Sequence, residues 1–227
     1  EEEAERDNQI RAQILMDAYP TSLVRALQEA TTEDAFKRVM RRQWMSSTKT
    51  KHVARALLQL QQDADLLDVV PEKAVVFSQF TAMLCAVSVE LEKVGLRFVW
   101  YTGSMKAAER EVALATFRSI KKKRSVAILL CSLQAGGVGL DLSYATRAFL
   151  CDPWWNPSVE AQAIDRIHRI GQRLPVHVER LVIANTIEDR ILKLQDRKRR
   201  IAEAITEKER GAEKREERIQ MLNEIFA

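Results

Sequence analysis

The chain is short of cysteine and has no long apolar run, and each shortage removes a class of protein. Its three cysteines, Cys85, Cys131 and Cys151, form no C-x-x-C pair. Two of them sit in apolar strand-like runs, which favours buried free thiols over disulfides or zinc ligands, so no metal site is expected. No apolar stretch approaches bilayer-spanning length and 30% of the residues are charged, which argues against a membrane protein. The first residues are acidic rather than signal-like, and the expectation is an intracellular chain. Two further absences concern phosphate chemistry. No Gly-Lys-Ser or Gly-Lys-Thr occurs, so there is no P-loop, and no Asp-Glu pair lies in an apolar strand to hold magnesium and position water.

What is present is enough for one substantial core: 227 residues, 46% of them hydrophobic, with room for helical additions at either end. The net charge of +4 is compatible with a nucleic-acid partner and too common to identify one. Residues 1–72 are rich in helix formers and read as a helical lead-in. Within it Thr31-Thr32-Glu33-Asp34 supplies an N-cap signature, Lys37, Arg38, Arg41 and Arg42 form a basic patch, and Val53, Ala56, Leu57 and Leu60 recur at helical spacing.

From Lys73 the pattern becomes strand-then-helix. Short apolar runs at 74–77, 98–101, 126–131, 148–151 and 178–183 alternate with helical patterns such as 82–94 and 106–117. This alternation predicts an α/β domain over 73–185, with helices flanking a parallel sheet in three layers and strands buried on both faces. After Asn185, Thr186-x-x-Asp189 resembles a capping box opening a long helix in 186–227. Ile187, Ile191, Leu194, Ile201 and Ile205 lie along one of its sides and are expected to pack back on the core. The basic runs Lys121-Lys122-Lys123-Arg124 and Arg197-Lys198-Arg199-Arg200 fit a nucleic-acid backbone or a solvated surface equally well.

In a parallel α/β sheet, ligands gather beyond the carboxyl ends of the strands. The segments expected there are Ser78-Gln79-Phe80, Thr102-Gly103-Ser104, Ser132-Leu133-Gln134-Ala135-Gly136-Gly137-Val138-Gly139-Leu140-Asp141 and Asp152-Pro153-Trp154-Trp155-Asn156-Pro157. Small hydroxyl residues, glycines and free backbone amides on one edge suit a phosphate-rich ligand. The glycine cluster alone also fits a tight strand-to-helix turn. The stretch 162–172 reads as a two-faced helix: Ala163, Ile164, Ile167 and Ile170 form an apolar stripe, while Gln162, Asp165, Arg166 and Arg169 gather opposite. That polar face places two guanidinium groups one turn apart, where an anion with several oxygens could accept both.

In order and spacing, Ser78-Gln79-Phe80, the 136–141 loop, Asp152-Pro153-Trp154-Trp155-Asn156-Pro157 and the 162–172 stretch resemble the C-terminal motor lobe of superfamily-two DNA translocases of the Swi/Snf type. The resemblance is nearest to the branch containing fungal post-replication-repair translocases and the helicase-like transcription factor. It implies a RecA-like fold for 73–185, and the tail at 186–227 resembles the brace that follows this lobe. It implies a nuclear, DNA-dependent ATP hydrolase acting in repair or chromatin remodelling, with double-stranded DNA, bare or in nucleosomes, and a first RecA-like lobe of the same parent protein as partners.

ATP and Mg2+ would be held mainly by that first lobe. By resemblance, Arg169 is the arginine finger and Arg166 its neighbour, with Gln162 and Asp165 positioning them and Gly139 and Asp141 at the interlobe cleft. Ser78, Gln79, Thr102, Gly103, Ser104, Arg110 and Trp155 are the DNA-contact candidates, for which packing is the alternative at Trp155. The zinc-binding RING found between the lobes in that branch has no counterpart, since three cysteines cannot build one. Half a motor is expected to be inactive alone. A docking module without turnover is the competing reading.

Overall fold

The computed structural model describes residues 38–39, 46–119, 127–136, 140–169 and 171–208. Helix α1 (Thr48–Leu66) leads into β1 (Lys73–Ser78), α2 (Thr81–Lys93), β2 (Phe98–Tyr101), α3 (Ala107–Ser119), β3 (Ala127–Ser132), the short α4 (Leu133–Gly136), β4 (Arg147–Leu150), α5 (Pro157–Ile164), β5 (His177–Arg180) and α6 (Ile187–Lys208). The five strands form one sheet in the order β2-β3-β1-β4-β5, with every pairing parallel. This is the RecA-like three-layer α/β architecture that the alternating pattern predicts.

Alternation along β1 divides the core in two. Ala74 and Val76 join Val53 and Leu57 of α1 and Leu84, Val87 and Leu91 of α2 on one face, while Val75 and Phe77 join Phe117 of α3, Ala163 of α5 and Ile167 on the other. Adjacent residues of one strand therefore hold helices on opposite faces. Helix α1, within the segment read as a lead-in, is thus a wall of the core. Ser47 caps it in a box with Thr50, a local signal that stops the helix from fraying toward residue 46.

The outer strand departs from the expected two-sided burial. Strand β5 covers only His177–Arg180 of the apolar run at 178–183, and His177, Val178 and Arg180 are exposed. Its edge position gives it one hydrogen-bonded neighbour instead of two, and polar side chains there discourage pairing with other chains.

Helix α6 does return to the lobe, but through polar residues. Ile187 and Leu194 stay 64% and 41% exposed and Ile191 is half-buried, whereas Gln195 is buried; the side chains of Ile201 and Ile205 lie outside those described. Its cap is shifted from the expected box. The Thr186 hydroxyl accepts the Glu188 N–H at 3.2 Å, and the Asp189 carboxylate takes the N–H of Asn185 rather than that of Thr186. All three cysteines are buried and free, and burial pushes the Cys131 and Cys151 thiols far above their usual range. The N-cap signature at Thr31-Thr32-Glu33-Asp34 and the run Lys121-Lys122-Lys123-Arg124 lie outside the described residues.

Candidate functional site

Because every strand is parallel, the segments after β1, β2, β3 and β4 leave from one sheet edge. Two of them are tied together by a buried carboxylate. Ser78, 1% exposed, donates its hydroxyl to Asp152, and the Gln79 N–H reaches the other Asp152 oxygen at 2.8 Å. The Ser78 oxygen also accepts the Phe80 N–H at 3.0 Å. Burial pushes the Asp152 carboxyl up, against the opposing bonds from Ser78 and Gln79 and the charge of Lys49. Lys49, itself buried on α1, reaches the Cys151 carbonyl at 2.7 Å and Glu188 of α6 at 2.6 Å. One ammonium thus joins the first helix, the end of β4 and the last helix.

The loop after β2 is braced from within. Thr102 is 1% exposed, with its hydroxyl 2.9 Å from that of Ser104. Arg110 of α3 donates Nε to the Thr102 carbonyl at 3.1 Å and Nη2 to the Gly103 carbonyl at 2.7 Å, and its guanidinium lies 5.8 Å from the Tyr101 ring centre. Gly103 and Ser104 remain exposed at the tip, with open space where a Gly103 side chain would stand.

After β4 the two tryptophans part company. Trp154 packs against the core, whereas Trp155 is 50% exposed with the Lys198 ammonium 4.3 Å from its ring centre. Glu160 anchors this loop. It is fully buried, accepts the Trp154 N–H at 2.6 Å and the Gln195 amide at 2.8 Å, and pairs with Arg180 of β5 at 2.6 Å. Asn156 then caps α5 by accepting the Ser158 N–H at 3.2 Å, and Pro157 fits the first turn, where its missing N–H costs nothing.

The expected helix over 162–172 is corrected here. Helix α5 ends at Ile164, and Arg166 and Arg169 follow it in tight turns. Two contacts stop the helix. The Arg166 carbonyl accepts the Leu142 N–H at 2.9 Å, and Ile167 drops fully into the core while its N–H bonds Ile164 at 2.9 Å in the tighter spacing of a helix end. Gly171, with φ at +103, then reverses the chain in a conformation that side chains resist. Gln162, Asp165 and Arg169 are exposed and Arg166 is half-buried; Ile170 lies outside the described residues.

Opposite this turn lies Asp141. Its carboxyl is held below its ordinary value by the Ser143 hydroxyl at 2.7 Å and the Ser143 N–H at 3.1 Å, aided by the charges of Arg118 and Arg169. Gln172 closes the arrangement by donating its amide to the carbonyls of Ser143 and Ala145. This cluster sits toward the end of the sheet where strands begin. Thr146, two residues past Tyr144, gives its N–H to Lys73 at the start of β1 and takes the N–H of His177 at the start of β5. Helix α5 crosses from the far edge back to this one, so it separates Trp155 from the arginines. The turn thus brings together Asp141, Arg166 and Arg169, and leaves Ser78, Gln79, Thr102, Gly103, Ser104, Arg110 and Trp155 at the opposite end.

Gly139 and Gly137 lie outside the described residues. Gly136 has a packing reason: a Cβ there would stand 3.0 Å from Phe77 Cε1 and 3.2 Å from Cys131 Sγ, too close for any larger residue without a shift. Sequence reading also missed Lys49, Glu160, Gln172, Glu188 and Gln195. Lys49 and Glu188 are 139 residues apart, so no local pattern could pair them.

A model of the helicase conserved C-terminal domain matches residues 55–171. The DNA repair protein RAD5 of Debaryomyces hansenii is 48% identical over 158 residues, which make up 68% of this chain and 13% of that protein. An ATP-dependent helicase of Schizosaccharomyces pombe is 41% identical over 163 residues, 71% of this chain and 15% of its own length. The chain therefore spans only a small part of these curated relatives. Among solved structures, the C-terminal part of the Fun30 ATPase domain superposes with a TM-score of 0.62 at 24% identity, over 78% of this chain and 58% of that one. That likeness shows a shared fold.

Proposed function

Because the chain belongs to the helicase conserved C-terminal domain family, we propose that it is the second motor lobe of an ATP-dependent translocase on double-stranded DNA. Residues 73–185 form the motor lobe, 186–227 the brace that follows it and 1–72 the approach to it, whose helix α1 is built into the core. The observation that carries the reading is the turn after α5. Leu142 and Gln172 bond the backbone carbonyls of Arg166 and Arg169, which fixes this turn, and Arg169 is exposed with its charge near Asp141.

The residues present fit a nucleotide only as donors of positive charge from outside. There is no P-loop, and among the described residues no group of three or more His, Cys, Asp and Glu could hold a metal ion. ATP, held with Mg2+ on the first lobe, would supply the phosphoanhydride bond that is cleaved. Arg169, exposed, approaches the terminal phosphate and offsets the charge that develops on its oxygens. Arg166 supports it, Gln162 and Asp165 restrain the approach, and Asp141 lines the cleft.

Duplex DNA runs along the opposite sheet edge, over Gly103, Ser104, Gln79 and Trp155. Ser78, Thr102 and Arg110 shape that track from behind, since their polar atoms already hold the loops. Backbone contacts of this kind carry little sequence information, which suits movement along any duplex. The name of the RAD5 relative supports work on DNA repair intermediates, and nuclear location and action on nucleosomes belong to the same proposal.

In the complete protein, Arg169→Ala is expected to slow hydrolysis by about 10³ while duplex affinity stays near wild type. Loss of both in equal measure would reassign Arg169 to DNA binding and leave a docking module as the better reading.

A further inference from the structure

Lys49 stands where local forces disfavour it. It lies in the first turn of α1, where a cation opposes the helix dipole, and it is only 7% exposed, so its ammonium has been taken out of water. Its three N–H donors meet three acceptors: the Cys151 carbonyl at 2.7 Å and the two Glu188 oxygens at 2.6 and 2.8 Å. Glu188 is aimed in turn by the Ile183 N–H at 2.8 Å. Such an ion pair offsets its own desolvation poorly, and apolar side chains of similar volume would join α1 to α6 at least as well. What they could not do is bond the Cys151 carbonyl.

That carbonyl belongs to the peptide unit leading into Asp152. The unit is planar, so its direction fixes how the Asp152 side chain departs. Cys151 also gives its N–H to the Phe77 carbonyl at 2.9 Å, which clamps the residue between β1 and Lys49. Asp152 then accepts the Ser78 hydroxyl and the Gln79 N–H. Burial, aided by the Glu188 charge, pushes its carboxyl up, while those two bonds and the Lys49 charge favour the ionised form that can accept both. No donor of Lys49 is left for a ligand, so its influence on one must pass through Cys151 and Asp152.

We propose that Lys49 is a positioning residue for duplex DNA: locked by Glu188, it sets the end of β4 so that Asp152 holds Gln79 in the track. This rests on the reading of the sheet edge as a DNA track and adds to it a residue that touches no DNA. It also makes α6, through Glu188, part of what keeps the track in shape.

The test follows ATP hydrolysis by the complete protein as duplex concentration is raised. With Lys49→Met the half-saturating duplex concentration is expected to rise by about tenfold, the effect of roughly one lost hydrogen bond to a charged group. The rate at saturation should stay near wild type, because the arginines lie at the opposite end of the sheet. A role in stability alone would lower the saturating rate with the folded fraction and leave half-saturation where it was; that result overturns the inference and leaves the track standing. Asp152→Asn should raise half-saturation as well, and adding Lys49→Met to it should raise it no further. Additive effects would mean that Lys49 does not act through Asp152, and would overturn the inference equally. Should Lys49→Met fail to fold, Glu188→Gln keeps an acceptor for the Ile183 N–H and should raise half-saturation by about threefold, since a neutral acceptor makes a bond roughly half as strong. No shift in that variant overturns the inference. A wild-type protein whose hydrolysis does not respond to duplex overturns the track reading together with it.

Discussion

At the strand ends, Ser78 and Thr102 are each 1% exposed and their hydroxyls bond to other residues of the lobe, whereas past α5 Arg169 is exposed and its backbone carbonyl holds Gln172 at 2.9 Å. One region uses polar side chains to build a shape and offers a ligand only its tip, Gly103, Ser104 and Trp155. The other uses backbone bonds to build the shape and leaves Arg169 exposed. The difference matches the two partners proposed for them. A duplex that must slide calls for a smooth, weakly specific track, while a reacting phosphate calls for a fixed charge.

After Arg169→Ala, the largest effect that would sharpen this contrast is expected from Arg166→Ala in the complete protein. Turnover should fall by about 10², as for removal of one preorganised donor, because the Leu142 bond uses the Arg166 carbonyl and survives the change. Steady-state hydrolysis at saturating DNA measures it; a loss explained by unfolding in a thermal melt would break the contrast.

Next comes Glu160→Ala, which deprives the Trp154 N–H of its acceptor, the Gln195 amide of one of its two acceptors and Arg180 of its partner. Destabilisation of about 2–3 kcal/mol is expected in urea unfolding, since donors inside the protein are left without a partner. A cost near zero would mean that the tryptophan loop is not held as described.

Trp155→Ala should act on binding more than on folding, because half of the ring is already in water. About a tenfold loss of duplex affinity, or about 1.4 kcal/mol, is expected with little change in melting temperature. The reverse pattern would make Trp155 a packing residue.

The smallest effect concerns Ser143→Ala. The Ser143 hydroxyl, then its N–H, holds the Asp141 carboxyl below its ordinary value of 3.8, so the stabilisation is complete above that value and is lost as pH falls through the lower folded one. The stability gap between wild type and variant should stay constant and under about 1 kcal/mol above about pH 5, then shrink on acidification. A gap that widens at low pH would show that Ser143 acts otherwise.

How much of this was legible in the sequence depends on the range of the interaction. Apolar runs found the described strands because alternation and burial are local consequences of a parallel sheet, and the apolar spacing of Val53, Ala56, Leu57 and Leu60 and the capping signal at Thr186 marked α1 and α6 for the same reason. The turn after α5 was hidden. The periodicity of Ala163, Ile164 and Ile167 continues past Ile164, but the Leu142 N–H captures the Arg166 carbonyl from outside the segment. Lys49, Glu160 and Gln195 escaped because each joins distant elements, and their types alone suggest surface residues. The resemblance named Ser78 and Arg110 as DNA-contact candidates without showing that their polar groups already bond within the protein.

The most direct measurement adds a separately purified first lobe, carrying its own P-loop, to this chain and follows DNA-dependent ATP hydrolysis. Neither piece alone should turn over. The mixture with the wild-type chain should show hydrolysis stimulated by duplex, and the mixture with Arg169→Ala should not. Hydrolysis by this chain alone, or equal rescue by Arg169→Ala, would contradict the account of a lobe that completes a catalytic site built elsewhere.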